Sequence, residues 1–277
     1  MNWKEFISKA FEEDVREGDH TSLSCIPENA SGKAQLIVKQ EGILAGVEMA
    51  KLIFNHFDDH LNFEPIIHDG EKVKAGDIAF YVSGNDRSIL TCERLVLNCM
   101  QRMSGVATLT RTYVDEIKGT GVKILDTRKT TPLFRAAEKW GVRIGGGHNH
   151  RFGLYDMILI KDNHVDYAGG IKQAIAEALK YCDEKTLHIP IEIEVRTLAE
   201  LQQVLESNGI QRVMLDNFEI PQVQQAIQMV NGKMEVEISG GINLKTIRKY
   251  AETNPDFISV GALTHSYTSL DLSLKAF

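Results

Sequence analysis

Before residue 120, the chain mixes helical and extended hydrophobic patterns. Apolar residues at helical spacing place Trp3, Phe6 and Phe11 on one face of an N-terminal helix, and a second helix is predicted over 47–57. Extended runs bounded by glycine turns predict strands at 34–40, 63–67 and 78–82. This part of the chain is therefore predicted to form a mixed α and β domain.

A long helix is predicted from about 91 to 118, with a break near Ser104-Gly105, and it connects to a second half in which the pattern changes. From Gly121 onward, apolar strands alternate with amphipathic helices. The strand runs end at Leu125, Ile160, Val195, Leu215, Ile238 and Val260. The last three strand–helix units repeat every 21 to 23 residues. Alternating units of this size predict a parallel sheet with right-handed crossovers.

One strand distinguishes a barrel from an open, doubly wound sheet. Its side chains alternate, so Glu192 and Glu194 point to one face and Ile191 and Ile193 to the other. Helices cover both faces of an open sheet, whereas the upper interior of a barrel tolerates charge. We therefore predict a barrel, incomplete because fewer than about eight strands are visible. Glu192 is predicted to pair with a lysine or arginine inside it.

The composition is typical of a globular protein. Of its 277 residues, 43% are hydrophobic and 25% are charged. The aliphatic runs are too short to cross a bilayer, and the N-terminal residues lack a signal-peptide pattern. The four cysteines include no C-x-x-C pair, so we expect reduced thiols and a cytoplasmic location.

The charge distribution points to an anionic ligand. The net charge of −7 argues against nucleic-acid binding. Between 93 and 161, however, 12 basic residues accompany 6 acidic ones, so this segment carries +6 and the remainder −13. A basic segment in an acidic protein predicts a local anion site. Four of these basic residues are predicted to lie on solvated helix faces instead: Arg111, Lys118, Arg135 and Lys139.

Polar residues follow the predicted barrel strands at their carboxyl ends, where barrel enzymes place active sites. Five are cations or potential cations: Arg128, Lys129, His150, Arg151 and Lys161. Glu194 and Asp216 lie one strand–helix unit apart. Such a pair can hold Mg²⁺, directly or through water, or stabilise positive charge developing at a sugar C1.

Two glycine loops follow the last strands. Ser239-Gly240-Gly241 precedes a helix predicted from Leu244, with Asn243 as its cap, and Gly261-Ala262 forms the second loop. Backbone N–H groups in such loops can bind phosphate, and barrels commonly place a phosphate site after their last strands. The sequence therefore predicts a phosphate site here.

Eight segments, in the same order and nearly end to end, resemble the quinolinate phosphoribosyltransferase family. They are EDVREGDHTS (13–22), ERLVLNCMQRMSGVAT (93–108), LDTRKTTP (125–132), GGGHNHRFGLYDMILIKDNH (145–164), IEIEV (191–195), MLDN (214–217), ISGGI (238–242) and SVGALTHS (259–266). The run DTRKT, followed by the histidine–arginine segment and then LIKDNH, is the most specific part of the resemblance.

The resemblance implies a type II phosphoribosyltransferase fold. Its expected parts are an N-terminal α/β sandwich (1–106), a C-terminal incomplete, TIM-like (β/α) barrel (107–265) and a tail (266–277) that packs back on the first domain. The implied reaction converts quinolinate and phosphoribosyl pyrophosphate into nicotinate mononucleotide, pyrophosphate and CO₂ during NAD biosynthesis. The implied assembly is a homodimer, or a higher even oligomer, with shared active sites.

The resemblance also implies roles for individual residues. Quinolinate would be bound by Arg94, supplied by the partner subunit, and by Arg128, His150, Arg151 and Lys161. Lys129 would reach both substrates. Phosphoribosyl pyrophosphate would be bound by Lys129, Glu194, Asp216, Ser239, Gly240, Gly241, Gly261 and Ala262. Lys129, Glu194 and Asp216 would be catalytic, with the two acids also serving Mg²⁺. No organic cofactor, nucleic acid or membrane is expected.

Three other functions fit parts of the sequence. A nicotinate phosphoribosyltransferase would need cations for one carboxylate only, and titration with quinolinate and nicotinate distinguishes it. A Schiff-base aldolase would use Lys161, and borohydride trapping would reveal it. A non-catalytic barrel that binds a pyridine carboxylate would release no CO₂, although Lys129, Glu194 and Asp216 disfavour it.

Overall fold

The computed structural model describes residues 2–277 of the chain. In chain order, its elements are α1 (Trp3–Asp14), α2 (His20–Cys25), β1 (Ser31–Val38), β2 (Gly42–Ile43), α3 (Val47–Phe57), β3 (Asn62–Pro65), β4 (Lys72–Val73), β5 (Ile78–Asn85), α4 (Asp86–Glu116), β6 (Lys123–Leu125), α5 (Arg135–Ile144), β7 (Ile158–Ile160), α6 (Asp162–Ala168), α7 (Ile171–Lys185), β8 (Ile191–Val195), α8 (Leu198–Leu205), β9 (Arg212–Asp216), α9 (Ile220–Val230), β10 (Glu235–Ser239), α10 (Ile247–Ala251), β11 (Phe257–Ser259), α11 (Ala262–His265) and β12 (Leu272–Ala276). Within residues 2–277, every helix is too short or too polar to span a bilayer.

The chain forms two compact units. The first contains the residues up to Arg111, Thr130–Gly146 and Leu263–Phe277, and the second contains Thr112–Lys129 and Gly147–Ala262. The segment Thr130–Gly146, which carries α5, therefore belongs to the first unit, whereas the sequence-based division assigned it to the barrel. A Cβ on Gly141 of α5 would lie 2.9 Å from the Met103 carbonyl, so the helix packs closely on α4 within that unit.

An antiparallel sheet organises the first unit. Its strand order is β12-β1-β5-β3. Leu36 and Val38 of β1 are buried, in alternation with less buried residues, which is the pattern of a strand with one face on the core. Phe54 of α3 packs on Phe80 of β5 with ring centroids 6.0 Å apart. The C-terminal tail joins this sheet, because β12 pairs with β1.

α4 is one continuous helix of 31 residues, so the break predicted near Ser104-Gly105 is wrong. The Ser104 hydroxyl donates to the Ala45 carbonyl (3.0 Å) and accepts from the Ala45 N–H (2.9 Å). A Cβ on Gly105 would lie 3.0 Å from Cα of Ser269. Both residues therefore serve tertiary packing, and the helix tolerates their lower propensity because its neighbours stabilise it.

A parallel sheet of six strands forms the second unit, in the order β6-β11-β10-β9-β8-β7. From β8 to β11, each strand lies beside the strand that precedes it in the chain. β6 pairs with β11, so β6 and β7 form the two edges of the sheet. This is an α/β barrel that stays open between its first two strands, and it confirms the predicted fold class. α10 begins at Ile247, later than predicted, because Asn243 and Thr246 close a turn before it.

Leu133 adopts a backbone conformation that is unfavourable for its side chain. Its φ is +62°, and its side chain is 85% exposed, so no burial offsets the strain. A left-handed conformation costs a non-glycine residue about 1–2 kcal/mol, whereas glycine costs about 0.5–1 kcal/mol in unfolded-state entropy. We expect Leu133→Gly to leave the free energy of unfolding unchanged or raise it by up to about 1 kcal/mol in denaturant titrations.

The matched control is Leu154→Gly, at an exposed leucine outside the positive-φ region. We expect this control to lose about 0.5–1 kcal/mol. Equal losses in the two variants would show that Leu133 is not strained.

Candidate active site

Strand register brings polar side chains together at the carboxyl ends of the parallel sheet. Ile160 of β7 pairs with Ile193 of β8, so Lys161 and Glu194 follow at the same level. Asp216 at the end of β9 pairs with Ser239 at the end of β10. We call this end of the sheet the rim.

A loop that follows α5 completes the rim beside β6. His148 donates its N–H to Ile124, and His150 donates its N–H to the buried carboxylate of Asp126 at 2.8 Å. These bonds hold the loop against the end of β6. Arg128 and Lys129, in the segment that follows β6, are exposed. His150 and Arg151 therefore lie beside the segment that carries the other predicted cations.

Two arginines at the rim oppose each other's charge. Arg151 is buried, and its guanidinium donates to the Met157 carbonyl at 3.2 Å. Burial lowers the pKa of Arg151, and the positive charge of Arg128 lowers it further. Glu192 and Asp156 partly offset these two effects. An anion bound beside Arg151 would stabilise its charged form.

Two acids form an opposing group at the rim. Burial raises the pKa of Glu194, the negative charge of Asp216 raises it further, and Lys161 counteracts both effects. Carboxylate oxygens held together in this way are the donor type that Mg²⁺ prefers. Glu194 and Asp216 therefore fit the predicted metal, which would relieve their mutual repulsion.

The first glycine loop needs glycine at its centre. Gly240 has φ +94°, and a Cβ there would lie 2.8 Å from the backbone nitrogen of Asn217. Gly241 follows with φ +62°. The predicted helix cap, Asn243, instead accepts from the Lys245 N–H within a turn. The backbone groups of this loop, together with those of Gly261 and Ala262 after β11, therefore remain the candidate phosphate site.

Arg94 lies apart in the topology, on α4 in the first unit. Its side chain is exposed, and it lines a cavity of about 720 Å³ with Leu95, Asn98 and Arg102. The other predicted site residues all belong to the second unit.

The sequence did not predict a buried polar cluster inside the barrel. Nε2 of His150 lies 2.9 Å from Oε2 of Glu192 and 3.4 Å from Oε2 of Glu237, which in turn lies 3.2 Å from Arg212. We call these four residues the lumen cluster. The residue nearest to Glu192 is thus a histidine, and the predicted arginine neighbour is Arg212, whose positive charge also acts on Glu192. The cluster could have been found from the alternation of side chains in the strands Arg212–Asp216 and Glu235–Ser239, because this alternation places Arg212 and Glu237 on the inner face.

The two ring nitrogens of His150 face different groups. Nδ1 accepts the N–H of Arg151 at 2.7 Å, and Nε2 faces the acids. Burial lowers the pKa of His150, but Glu192 and Glu237 outweigh it and raise the pKa to about 9. A second ring proton would nevertheless displace the Arg151 N–H from Nδ1. We therefore assign the neutral ring with its proton on Nε2.

Models of two domains match nearly the whole chain. The quinolinate phosphoribosyl transferase N-terminal domain matches residues 19–104, and the C-terminal domain matches residues 106–275. The chain belongs to the quinolinate phosphoribosyl transferase family. The resemblance seen in the sequence motifs is thereby confirmed.

Members of the quinolinate phosphoribosyl transferase family align with this chain over most of their length. Quinolinate phosphoribosyltransferase [decarboxylating] 1b of Nicotiana tabacum is 42% identical, over 98% of this chain and 81% of its own. The nicotinate-nucleotide pyrophosphorylase structure from Francisella tularensis has a TM-score of 0.91 and 40% identity, covering 99% of this chain and 96% of its own. NadC from Streptococcus pyogenes has a TM-score of 0.92 and 37% identity, with the same coverage.

The lumen cluster makes stability depend on pH. Burial raises the pKa of Glu192 from 4.5 to about 7, and Glu237 adds to the shift. A carboxyl whose pKa is higher in the folded than in the unfolded chain destabilises the fold as the pH rises from the unfolded-state pKa to the folded-state pKa. For Glu192 the free energy of unfolding falls by up to about 3 kcal/mol over that range. When the pH is raised from 5 to 8, we expect the melting temperature of Glu192→Gln to fall less than that of the wild type in thermal unfolding.

The matched control is Glu235→Gln, which removes a half-exposed partner of Arg212. Its pH dependence is expected to follow the wild type. An unchanged pH dependence in Glu192→Gln would contradict the prediction.

Proposed function

We propose that the chain transfers the phosphoribosyl group of phosphoribosyl pyrophosphate to quinolinate and releases CO₂, giving nicotinate mononucleotide for NAD biosynthesis. The observation that carries this proposal is the set of cations at the rim of the barrel, where the positive charge of Arg128 lowers the pKa of the buried Arg151. The relatives named above catalyse this reaction according to their names.

Quinolinate has two adjacent carboxylates, which the rim cations complement. Arg128 and Arg151 can each bind a carboxylate through two N–H groups, and Lys161 adds a point charge. A ligand with one carboxylate would neutralise only part of this charge. The site therefore favours the dianion over nicotinate.

The transfer step requires the pyridine nitrogen to attack C1 of the ribose while pyrophosphate leaves. Holding the ring beside C1 supplies most of the acceleration. Glu194 and Asp216 stabilise the positive charge that develops on the ribose. Lys129, which is exposed beside Arg128 in the segment after β6, would reach both substrates. The bond from nitrogen to C1 forms as the bond from C1 to the pyrophosphate oxygen breaks.

The glycine loops bind the phosphate of the ribose. Ser239, Gly240 and Gly241 offer backbone N–H groups after β10, and Gly261 and Ala262 offer more after β11. When bound by Glu194 and Asp216, Mg²⁺ would neutralise pyrophosphate charge.

Decarboxylation follows from the product of the transfer step. Alkylation makes the ring nitrogen cationic, and the ring then withdraws the electron pair of the bond to the 2-carboxylate. That bond breaks to release CO₂, and a proton replaces it on the ring. Arg128 and Arg151 hold the ring in place during this step.

We also propose that Arg94 completes the site of a partner subunit in a homodimer. Its exposure on α4 supports this proposal, and sedimentation velocity measures the assembly. A cytoplasmic location is likewise a prediction, which cell fractionation tests, since plant relatives are named chloroplastic or mitochondrial.

The direct test is incubation of the purified chain with quinolinate, phosphoribosyl pyrophosphate and Mg²⁺. We expect nicotinate mononucleotide and CO₂ in equal amounts. Nicotinate is the control substrate, and faster product formation from nicotinate would contradict the proposal.

The two substrates depend on different residues. We expect Arg151→Ala and Arg128→Ala to abolish measurable quinolinate binding in calorimetric titrations, because each removes a charged, bidentate partner. Binding of phosphoribosyl pyrophosphate remains measurable. Equal loss of both affinities would contradict this division.

Glu194 acts on turnover. We expect Glu194→Gln to lower kcat by about 100-fold or more, since it removes negative charge beside the ribose. The quinolinate affinity changes much less. Steady-state kinetics measure both, and a rise in the KM for quinolinate with an unchanged kcat would disprove this role.

A further inference from the structure

The histidine of the segment LIKDNH has no part in the reaction described so far. Nδ1 of His164 accepts the backbone N–H of Lys161 at 2.9 Å. His164 lies in the first turn of α6, and Lys161 is the residue that immediately precedes this helix. The Lys161 carbonyl accepts the N–H of Val165, whose side chain is buried. Both backbone polar groups of Lys161 are therefore fixed by the first turn of α6.

The helix that carries His164 is itself held against the parallel sheet. Arg196 follows the end of β8, two residues after Glu194. Its two terminal nitrogens donate to the carboxylate of Asp166 on α6, at 3.1 and 3.3 Å. An exposed ion pair contributes little to stability, but a fork of two parallel hydrogen bonds restricts the geometry of its partners. The support for Lys161 is thus fixed from a neighbouring strand of the rim.

The acceptor at position 164 differs from the residue types that usually fill this place. Glutamate or glutamine at the third position of a helix commonly accepts the N–H of the residue that precedes the helix. The helix dipole would also favour a glutamate there. A glutamate would, however, add negative charge beside Lys161, where the proposed substrate is a dianion. A neutral imidazole accepts through Nδ1, carries its proton on Nε2 and adds no charge.

We propose that His164 is a positioning residue for quinolinate: as an uncharged acceptor, it fixes the backbone from which the Lys161 side chain begins. The proposal rests on the proposed function, in which Lys161 adds a point charge to the quinolinate site. Because His164 acts through Lys161, its loss affects the affinity for quinolinate. Phosphoribosyl pyrophosphate, which other residues bind, is unaffected by that loss.

Three substitutions at position 164 test the proposal in calorimetric titrations. His164→Ala removes the acceptor, and we expect it to weaken quinolinate binding by about 3- to 10-fold, the range of one neutral hydrogen bond. His164→Gln supplies a neutral acceptor and restores most of the affinity. His164→Glu supplies a charged acceptor, so it restores the melting temperature but not the quinolinate affinity. The affinity for phosphoribosyl pyrophosphate is the same in the wild type, His164→Ala and His164→Gln.

The matched control is Tyr167→Ala. Tyr167 lies on the same helix with 92% of its surface exposed, and its substitution leaves the acceptor of the Lys161 N–H in place. We expect this variant to bind both substrates as the wild type does.

Four results would overturn the proposal: an equal loss of both affinities in His164→Ala, no loss in that variant, no recovery in His164→Gln, or full recovery in His164→Glu. The last result would show that His164 only stabilises the start of the helix. Titration of the wild type separates these failures from that of the proposed function. A wild type that does not bind quinolinate contradicts the function, whereas a wild type that binds it, with affinity unaffected in His164→Ala, contradicts only the role of His164.

Nitrogen NMR of the wild type at pH 8 adds a measurement that needs no variant to fold. We expect the His164 ring to carry its proton on Nε2, with Nδ1 unprotonated. A proton on Nδ1 would remove the acceptor for the Lys161 N–H and overturn the proposal.

Discussion

Charged side chains inside a curled parallel sheet must find partners within the same interior, and this constraint governs the second unit. Every second residue of a barrel strand points inward, which brings Glu192, Arg212 and Glu237 together from three neighbouring strands. His150 reaches them from the loop beside β6. The lumen cluster therefore ties the open edge of the barrel to its centre, beneath the rim where the proposed chemistry occurs.

Like charges act on each other at two places in the rim. The positive charge of Arg128 lowers the pKa of Arg151, and the negative charge of Asp216 raises the pKa of Glu194. An anionic ligand beside Arg128 and Arg151, together with a cation bound by Glu194 and Asp216, would offset both effects. Such preorganised charge costs stability in the free protein, and it is a common arrangement in catalytic sites.

Strand periodicity allowed much of the site to be predicted. The end of each strand was visible in the sequence, and Lys161, Glu194 and Asp216 all lie at the rim, as expected. The continuity of α4 through Ser104-Gly105 and the histidine partner of Glu192 could not be predicted, because both depend on contacts between residues distant in sequence. Local pattern fixes which face a side chain occupies, but tertiary packing decides what it meets there.

Charge counting alone would have misplaced the site. The basic segment includes Arg102, which lies 5.7 Å from the Phe134 ring, and Arg135, which donates to Thr130; both belong to the first unit. Lys139, predicted on a solvated face, is in fact buried. What distinguishes Arg151 is its position in the loop that the backbone N–H groups of His148 and His150 tie to the end of β6, where the positive charge of Arg128 acts on it. A cation therefore indicates an anion site only when the topology places it at the rim beside other cations.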